Sequence, residues 1–319
     1  MIVAITGATG FIGHKLVLRL LEQGSQVRVL SRQPPDLTGV YKNVQWFNGN
    51  LNNEYDLTAF VDGIDVLYHC AGEVRNQSIM EKVHVEGTRR LIEAAAGRVN
   101  HWVQLSSVGV YGPVKDSLVT ETSLHSPVGE YEVTKEKSDQ LVINAAEKSG
   151  FTFTVLRPSN VYGASMTNRS LFSLISAIDR GLFFYIGERG ASANYIHVDN
   201  VVEALLLCAT SHAEKGKIYN LSDYCTMEHF VDVISQNLKI KSPQLRINRL
   251  FANLVAKTLG RLPWFPLTPS RVNALTNRSS YPISQIQNEL GYQHKVSMEE
   301  GLCELVDTYK LQMGKVKNK

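Results

Sequence analysis

Residues 1–13, MIVAITGATGFIG, constrain the fold more than any other stretch of the chain. A short apolar run ends in Thr6-Gly7, and glycines recur at positions 10 and 13. An apolar pattern of helical period then takes over, through Phe11, Ile12, Leu16, Val17, Leu20 and Leu21. The pattern predicts a buried strand, a tight glycine turn and a helix N-terminus. Gly7 allows the turn, Gly10 lets backbone come close to a pyrophosphate, and Gly13 lets helix pack on strand. The helix start offers unsatisfied N–H groups and a partial positive charge, to which phosphates bind. Gly7, Thr9, Gly10, Phe11, Ile12 and Gly13 are therefore the first candidate dinucleotide contacts.

Strand and helix patterns alternate beyond this unit. Strands are expected at 26–30, 44–48, 65–69, 101–105 and 151–156, with helices at 79–97 and 130–148. This alternation predicts an α/β fold, a Rossmann-type doubly wound parallel sheet. The end of the second strand, Ser31-Arg32, falls where such a fold meets the adenosine ribose. An acid there would accept the ribose 2′-hydroxyl and repel a 2′-phosphate, whereas a guanidinium grips a phosphate through two parallel hydrogen bonds. Arg32 thus favours NADP, with NAD possible; Asp36 is the nearest acid. Asn50 and Leu51 are expected beside the adenine, and the small residues Cys70, Ala71 and Gly72 beneath the cofactor.

From about residue 166 the character changes. A helix is expected at 168–180, a strand at 195–198, a helix at 200–209, a strand at 217–222 and a helix at 226–238. The remainder reads as helical, broken at Pro263, Pro266 and Pro269. The expected division is a dinucleotide-binding domain over 1–165 and 191–223, and a smaller, discontinuous, mainly helical C-terminal substrate lobe over 166–190 and 224–319. The substrate belongs in the cleft between them.

Composition narrows the function classes. With 33 Lys and Arg against 30 Asp and Glu, the net charge of +3 gives no reason to expect nucleic acid. Four scattered cysteines without a C-x-x-C pair suggest a reducing compartment. A strand at residue 2 leaves no room for a targeting peptide, and no apolar run reaches membrane-spanning length. A cytoplasmic enzyme with no membrane partner is expected. The nine histidines are dispersed and no H-E-x-x-H occurs, so no metal site is expected.

Tyr131 and Lys135 lie four apart, on one face of the helix predicted at 130–148. Ser107 ends a neighbouring strand. Together they form an acid/base set. A phenol has a free pKa of about 10, and a nearby ammonium, with the positive nicotinamide, favours its phenolate. Ser107 would hydrogen-bond the substrate oxygen, Tyr131 move the proton and Lys135 hold the ribose, while a hydride passes to or from nicotinamide.

At this point the chain resembles the extended short-chain dehydrogenase/reductase family, which includes sugar-nucleotide epimerases and dehydratases. The resemblance rests on TGATGFIG (6–13), HCAG (69–72), SSVGVYG (106–112), YEVTK (131–135), RPSNVYG (157–163) and YIHVDN (195–200), with ELGY (289–292) and SMEEGL (297–302) near the end. It implies that Ser107 rather than Ser106 is the catalytic hydroxyl. It also implies that Pro158, Ser159 and Val161 line the nicotinamide and that Asn160 approaches the diphosphate side of the substrate. A homodimer is implied too.

Three positions depart from the family pattern. Ser31-Arg32 stands where an acid is usual. His84 stands where an asparagine is usual. Ala193 replaces an arginine that clamps the diphosphate in sugar-nucleotide members, and Arg189, Arg249 or Arg271 could substitute for it. The family's dehydratases carry an Asp-Glu pair after the hydroxyl, and Val108-Gly109 argues against dehydration here. The leading expectation is a nucleotide-sugar 4-epimerase or 4-ketosugar reductase. The first alternative is an NADPH-dependent reductase of a non-nucleotide carbonyl, similar to dihydroflavonol reductases or hydroxysteroid dehydrogenases. The second is a non-catalytic NADP sensor, which retention of Tyr131 and Lys135 disfavours.

Overall fold

The computed structural model describes all residues except 33–38, 52–56, 115–116, 167, 211–215, 260–266 and 318–319. Asp36, Pro263 and Pro266 fall outside the described residues. Strand β1 (Ile2–Thr6) runs into helix α1 (Phe11–Glu22), followed by β2 (Gln26–Ser31), β3 (Gln45–Asn48), α2 (Thr58–Val61) and β4 (Ile64–His69). Then come α3 (Gly87–Ala95), β5 (Val99–Leu105), α4 (Glu130–Ser149), β6 (Thr152–Pro158) and β7 (Asn160–Tyr162). The chain continues through α5 (Ser170–Asp179), β8 (Tyr185–Ile186), β9 (Ser192–His197), α6 (Val198–Thr210), β10 (Lys217–Leu221), β11 (Asp223–Thr226) and α7 (Met227–Leu238). It ends with β12 (Arg246–Ile247), α8 (Arg249–Leu259), α9 (Pro269–Ala274), α10 (Ser284–Leu290) and α11 (Met298–Lys317).

Seven strands form one parallel sheet in the order β10-β6-β5-β4-β1-β2-β3. This is the expected doubly wound Rossmann-type sheet, with its order reversing between β1 and β4. Because helices cover both faces, central strands such as β1 are nearly continuous apolar runs rather than alternating ones. Helix α1 buries Gly13, Leu16, Val17 and Leu20, the stripe its period predicts.

A second core lies off the sheet. Leu171, Phe172, Ile175, Phe230, Ile234, Leu302 and Leu305, from α5, α7 and α11, pack together there. Short pairings absent from the sequence reading stitch it: β7 and β11 flank β9, and β8 pairs with β12. Ile286 of α10 and Tyr292 join the core of the main sheet instead, although both fall within the span assigned to the substrate lobe. The helix expected at 79–97 is present, its first part, Glu81–Glu86, wound as a π-helix that continues into α3. Such wide turns concentrate at functional sites.

Candidate active site

A cleft of about 290 Å³ opens at the carboxyl ends of β1, β2 and β4, beside the point where strand order reverses. Gly7, Thr9, Gly10, Ser31, Arg32, Asn50, Leu51, Cys70, Ala71 and Gly72 line it, as the sequence predicts. Thr6, Leu30, Gly49, Glu73, Ile79 and Val83 also line it and were not among the predicted contacts. Gly7 has φ +71°, and a Cβ there would stand 2.7 Å from the Cys70 carbonyl and the Ala71 nitrogen. A Cβ at Gly13 would overlap the Gly7 carbonyl oxygen, so glycine there brings α1 onto the loop. No side chain caps α1 and its first turn carries no acid, which leaves its N-terminal N–H groups and dipole for an anion. Phe11, Ile12 and Gly13 sit in that first turn rather than on the cleft wall.

Pro158, Ser159 and Val161 lie where β6 passes into β7. The Ser159 and Ser222 hydroxyls are buried there without a hydrogen-bond partner among the described residues. Buried hydroxyls of this kind await a ligand or water. The glycine cradle, the uncapped helix and the orphaned hydroxyls all fit a dinucleotide.

Two members of the candidate acid/base set, Tyr131 and Lys135, lie on α4, whose inward face is polar: Thr134, Lys135, Ser138 and Asp139 are all buried. Lys135 Nζ donates to the Leu105 carbonyl at the end of β5 (2.6 Å). Burial lowers its pKa, and the negative charge of Asp139 opposes that shift. Ser106 donates to Asp139 Oδ2 (2.6 Å), so this hydroxyl is committed inward. Ser107 Oγ accepts from the Gly109 N–H (3.0 Å), a bond that does not use its own proton. Asp139 also pairs with Arg157 (3.4 Å), both side chains fully buried. Arg157 Nη1 donates to Tyr111 Oη (3.0 Å), and Tyr111 Oη to Asn220 Oδ1 (2.9 Å). Burial raises the Asp139 pKa against the opposing pull of Arg157 and Lys135.

Lys135 and the positive nicotinamide together were expected to draw the Tyr131 phenol toward phenolate; the protein's own groups alone push it up to about 12, through burial and the charges of Glu132 and Asp139. The Lys135 ammonium donates to a carbonyl and its pKa is itself depressed, while the Glu132 charge adds to the Tyr131 shift. Its side chain folds across two glycines: a Cβ at Gly109 would lie 2.7 Å from Glu132 Cγ and 3.3 Å from Ser107 Oγ. Glu132 was missed in the sequence because only the absence of side chains at Gly109 and Gly129 brings it there.

His84 is placed without ambiguity. Its Nε2 accepts the Glu73 N–H (2.8 Å), so Nδ1 carries the proton and donates to Thr134 Oγ1 (2.7 Å). Thr134 passes its own proton to the Glu130 carbonyl (2.7 Å). Burial, then Lys135, hold the imidazole neutral, at about 3. His84 therefore ties the cleft wall at Glu73 to the helix between Tyr131 and Lys135. Beneath it, the Thr88 hydroxyl donates to the His84 carbonyl, so His69 Nε2 donates to Thr88 (2.9 Å) and His69 Nδ1 accepts from Thr6 (2.6 Å).

A smaller groove of about 160 Å³ is lined by Pro113, Val114, Arg249, Asn273, Ala274, Thr276 and Asn277. It lies between the loop after the Ser107 turn and the second lobe. Arg189 is exposed in the turn before β9, its carbonyl accepting from Arg278 (3.0 Å), and it lines neither cleft. Asn160 is exposed and donates to the Asn194 carbonyl (3.2 Å). Ala193 is buried in the second core. Among the described residues no cluster of His, Cys, Asp and Glu could hold a metal ion.

Residues 3–222, more than half of the chain, match the sequence model of the NAD dependent epimerase/dehydratase family. The chain belongs to that family. As a member of it, the protein is an NAD(P)-dependent enzyme. The chain is 28% identical to the Stigmatella aurantiaca 4-hydroxy-2-methyl-3-oxo-4-farnesyl-3,4-dihydroquinoline-1-oxide ketoreductase, covering 93% of each sequence. It is 26% identical to the Arabidopsis thaliana 3beta-hydroxysteroid-dehydrogenase/decarboxylase isoform 1, over 96% of this chain and 79% of the relative. Among solved structures, MoeE5 in complex with UDP-glucose and NAD superposes with a TM-score of 0.74 at 25% identity, covering 98% of this chain and all of that one.

Proposed function

We propose that this family member reduces the 4-keto group of a nucleotide-diphosphate sugar with NADPH, or epimerises such a sugar at the same carbon. Arg249 carries this reading: it lines the groove between the lobes beside Asn273 and Asn277. An arginine with two side-chain amides suits a diphosphate, and Arg249 takes the part of the arginine absent at Ala193. MoeE5, bound to UDP-glucose, supports the substrate class.

The bound nicotinamide supplies the hydride. The chain's own residues manage the oxygen. Ser107 holds it through the proton not used toward Gly109. Tyr131, a phenol protonated near neutral pH, gives its proton to the nascent alkoxide. Lys135, anchored to Leu105, keeps further ammonium donors for the ribose side. Arg32 favours NADPH, and a dissociable NADPH suits net reduction, which places the reductase ahead of the epimerase. Arg32, exposed on the cleft rim, selects the 2′-phosphate. The two-lobe division and a homodimer belong to the same proposal.

A second reading has its own support. Ala193 leaves no clamp on β9, and both curated relatives above act, by name, on hydrophobic carbonyl or steroid compounds. The test is turnover of UDP- and dTDP-4-ketosugars against apolar ketones, with NADPH and NADH. Nucleotide-sugar turnover is expected, with NADPH preferred and with Arg249→Gln raising KM about tenfold, the ~1.4 kcal/mol of a charge-assisted hydrogen bond. Turnover of apolar ketones alone would move the assignment to the second reading.

A further inference from the structure

Helix α8 is built inside out. It rests on the second lobe through Ala252 and Ala256, which are 0% and 1% exposed and pack against Ile186, Leu267 and Val272. Its bulky apolar residues point outward: Leu250, Phe251 and Leu254 are 79%, 59% and 63% exposed. At spacings of one and four they form a single stripe, continued one turn on by the exposed Lys257. Leu245, just before β12, is 64% exposed as well.

The charge of the sequence span that contains α8 is one-sided. From residue 233 to 288 the sequence holds Lys239, Lys241, Arg246, Arg249, Lys257, Arg261, Arg271 and Arg278, and not one Asp or Glu. The rest of the chain is accordingly slightly acidic. Arg246 is engaged with Glu228 (2.7 Å), while Lys239, Lys241 and Lys257 are exposed.

We propose that this face docks on an anionic membrane surface, Leu250, Phe251 and Leu254 entering the boundary between headgroups and acyl chains and the lysines meeting lipid phosphates. An outward apolar stripe flanked by lysines is the signature of a helix lying in a bilayer interface. A second copy of the chain fits poorly, because a two-fold contact sets the basic face against itself. Insertion across the bilayer is not required: among the described residues no helix is long and apolar enough to span one. The sequence reading, which expected no membrane partner, is revised for surface contact only.

The experiment is co-sedimentation of the full chain with phosphatidylcholine vesicles, with and without about 30% phosphatidylglycerol. The chain is expected to pellet at least about fivefold more with the anionic vesicles, and to be released when salt rises from about 0.1 M to about 0.5 M. Leu254→Ser with Lys257→Glu abolishes the pelleting while circular dichroism and dinucleotide affinity stay unchanged. Failure to bind either vesicle, or binding indifferent to these substitutions, overturns the proposal. So does sedimentation velocity without lipid if it shows that the same variant dissolves a dimer, since a second copy would then cover the face.

Discussion

Helices α4 and α8 break the usual burial rule in opposite directions. Helix α4 turns Thr134, Lys135, Ser138 and Asp139 inward, and α8 turns Leu250, Phe251 and Leu254 outward. Charged groups are rarely buried unless paired, and large apolar stripes are rarely exposed without a partner. In α4 each of these buried residues has a hydrogen-bond partner, Lys135 in Leu105 and Asp139 in Ser106 and Arg157, and only Asp139 Oδ1 lacks one among the described residues. The outer stripe of α8 rests on no core cluster, and its exposure points to a partner outside the chain. Under the two proposals above, the departures mark different kinds of function, one internal and chemical, the other external and interfacial.

The largest effect belongs to α4. Tyr131→Phe removes the proton donor while leaving the ring against His84, with centroids 5.6 Å apart. A loss of about a thousandfold in kcat is expected, within the range of a general acid, with dinucleotide affinity retained by calorimetry. A variant that keeps full turnover would strip α4 of its chemical role and leave its polar face without a reason.

The next test sets the two helices side by side. Asp139→Ala leaves Arg157 buried without its carboxylate and is expected to cost about 3–5 kcal/mol in denaturant unfolding. Leu254→Ser on α8 is expected to stay within about 0.5 kcal/mol, because the side chain is already in solvent. Equal costs would mean that α8 is part of the folded core in solution and that the contrast is false.

The contrast also explains what could be read in advance. The β1 turn was legible because its constraints are local: Gly7 needs positive φ, and Gly13 touches a residue six positions back. Tyr131 and Lys135 were legible because one helical turn joins them. The role of His84 was not, since Glu73 and Thr134, eleven residues before it and fifty after, decide its tautomer. The short strands β7, β8, β11 and β12 have two to four residues each, too few to show a period. In α8 the amphipathic spacing is visible, but which face turns inward depends on Ile186, Leu267 and Val272 from elsewhere in the chain.

The smallest effect is the most diagnostic of how α4 works. Glu132 stands between Tyr131 and Lys135 in sequence, and its charge is the second cause, after burial, that lifts the Tyr131 phenol to about 12. Removing a negative charge stabilises the phenolate, so Glu132→Gln lowers that pKa, while burial and Asp139 still hold it above an ordinary tyrosine. Reduction needs the phenol protonated, and its rate falls as pH rises through this pKa; the fall should begin at lower pH in the variant. Alcohol oxidation needs the phenolate, and its rising limb should move the same way. The displacement expected is less than about one pH unit, or under tenfold in rate at a fixed pH on either limb. Glu130→Gln, in the exposed first position of the same helix, serves as the control and should leave both limbs in place. If the two variants behave alike, Glu132 merely fills the space over Gly109 and Gly129, and the buried polarity of α4 positions the phenol without setting its proton affinity.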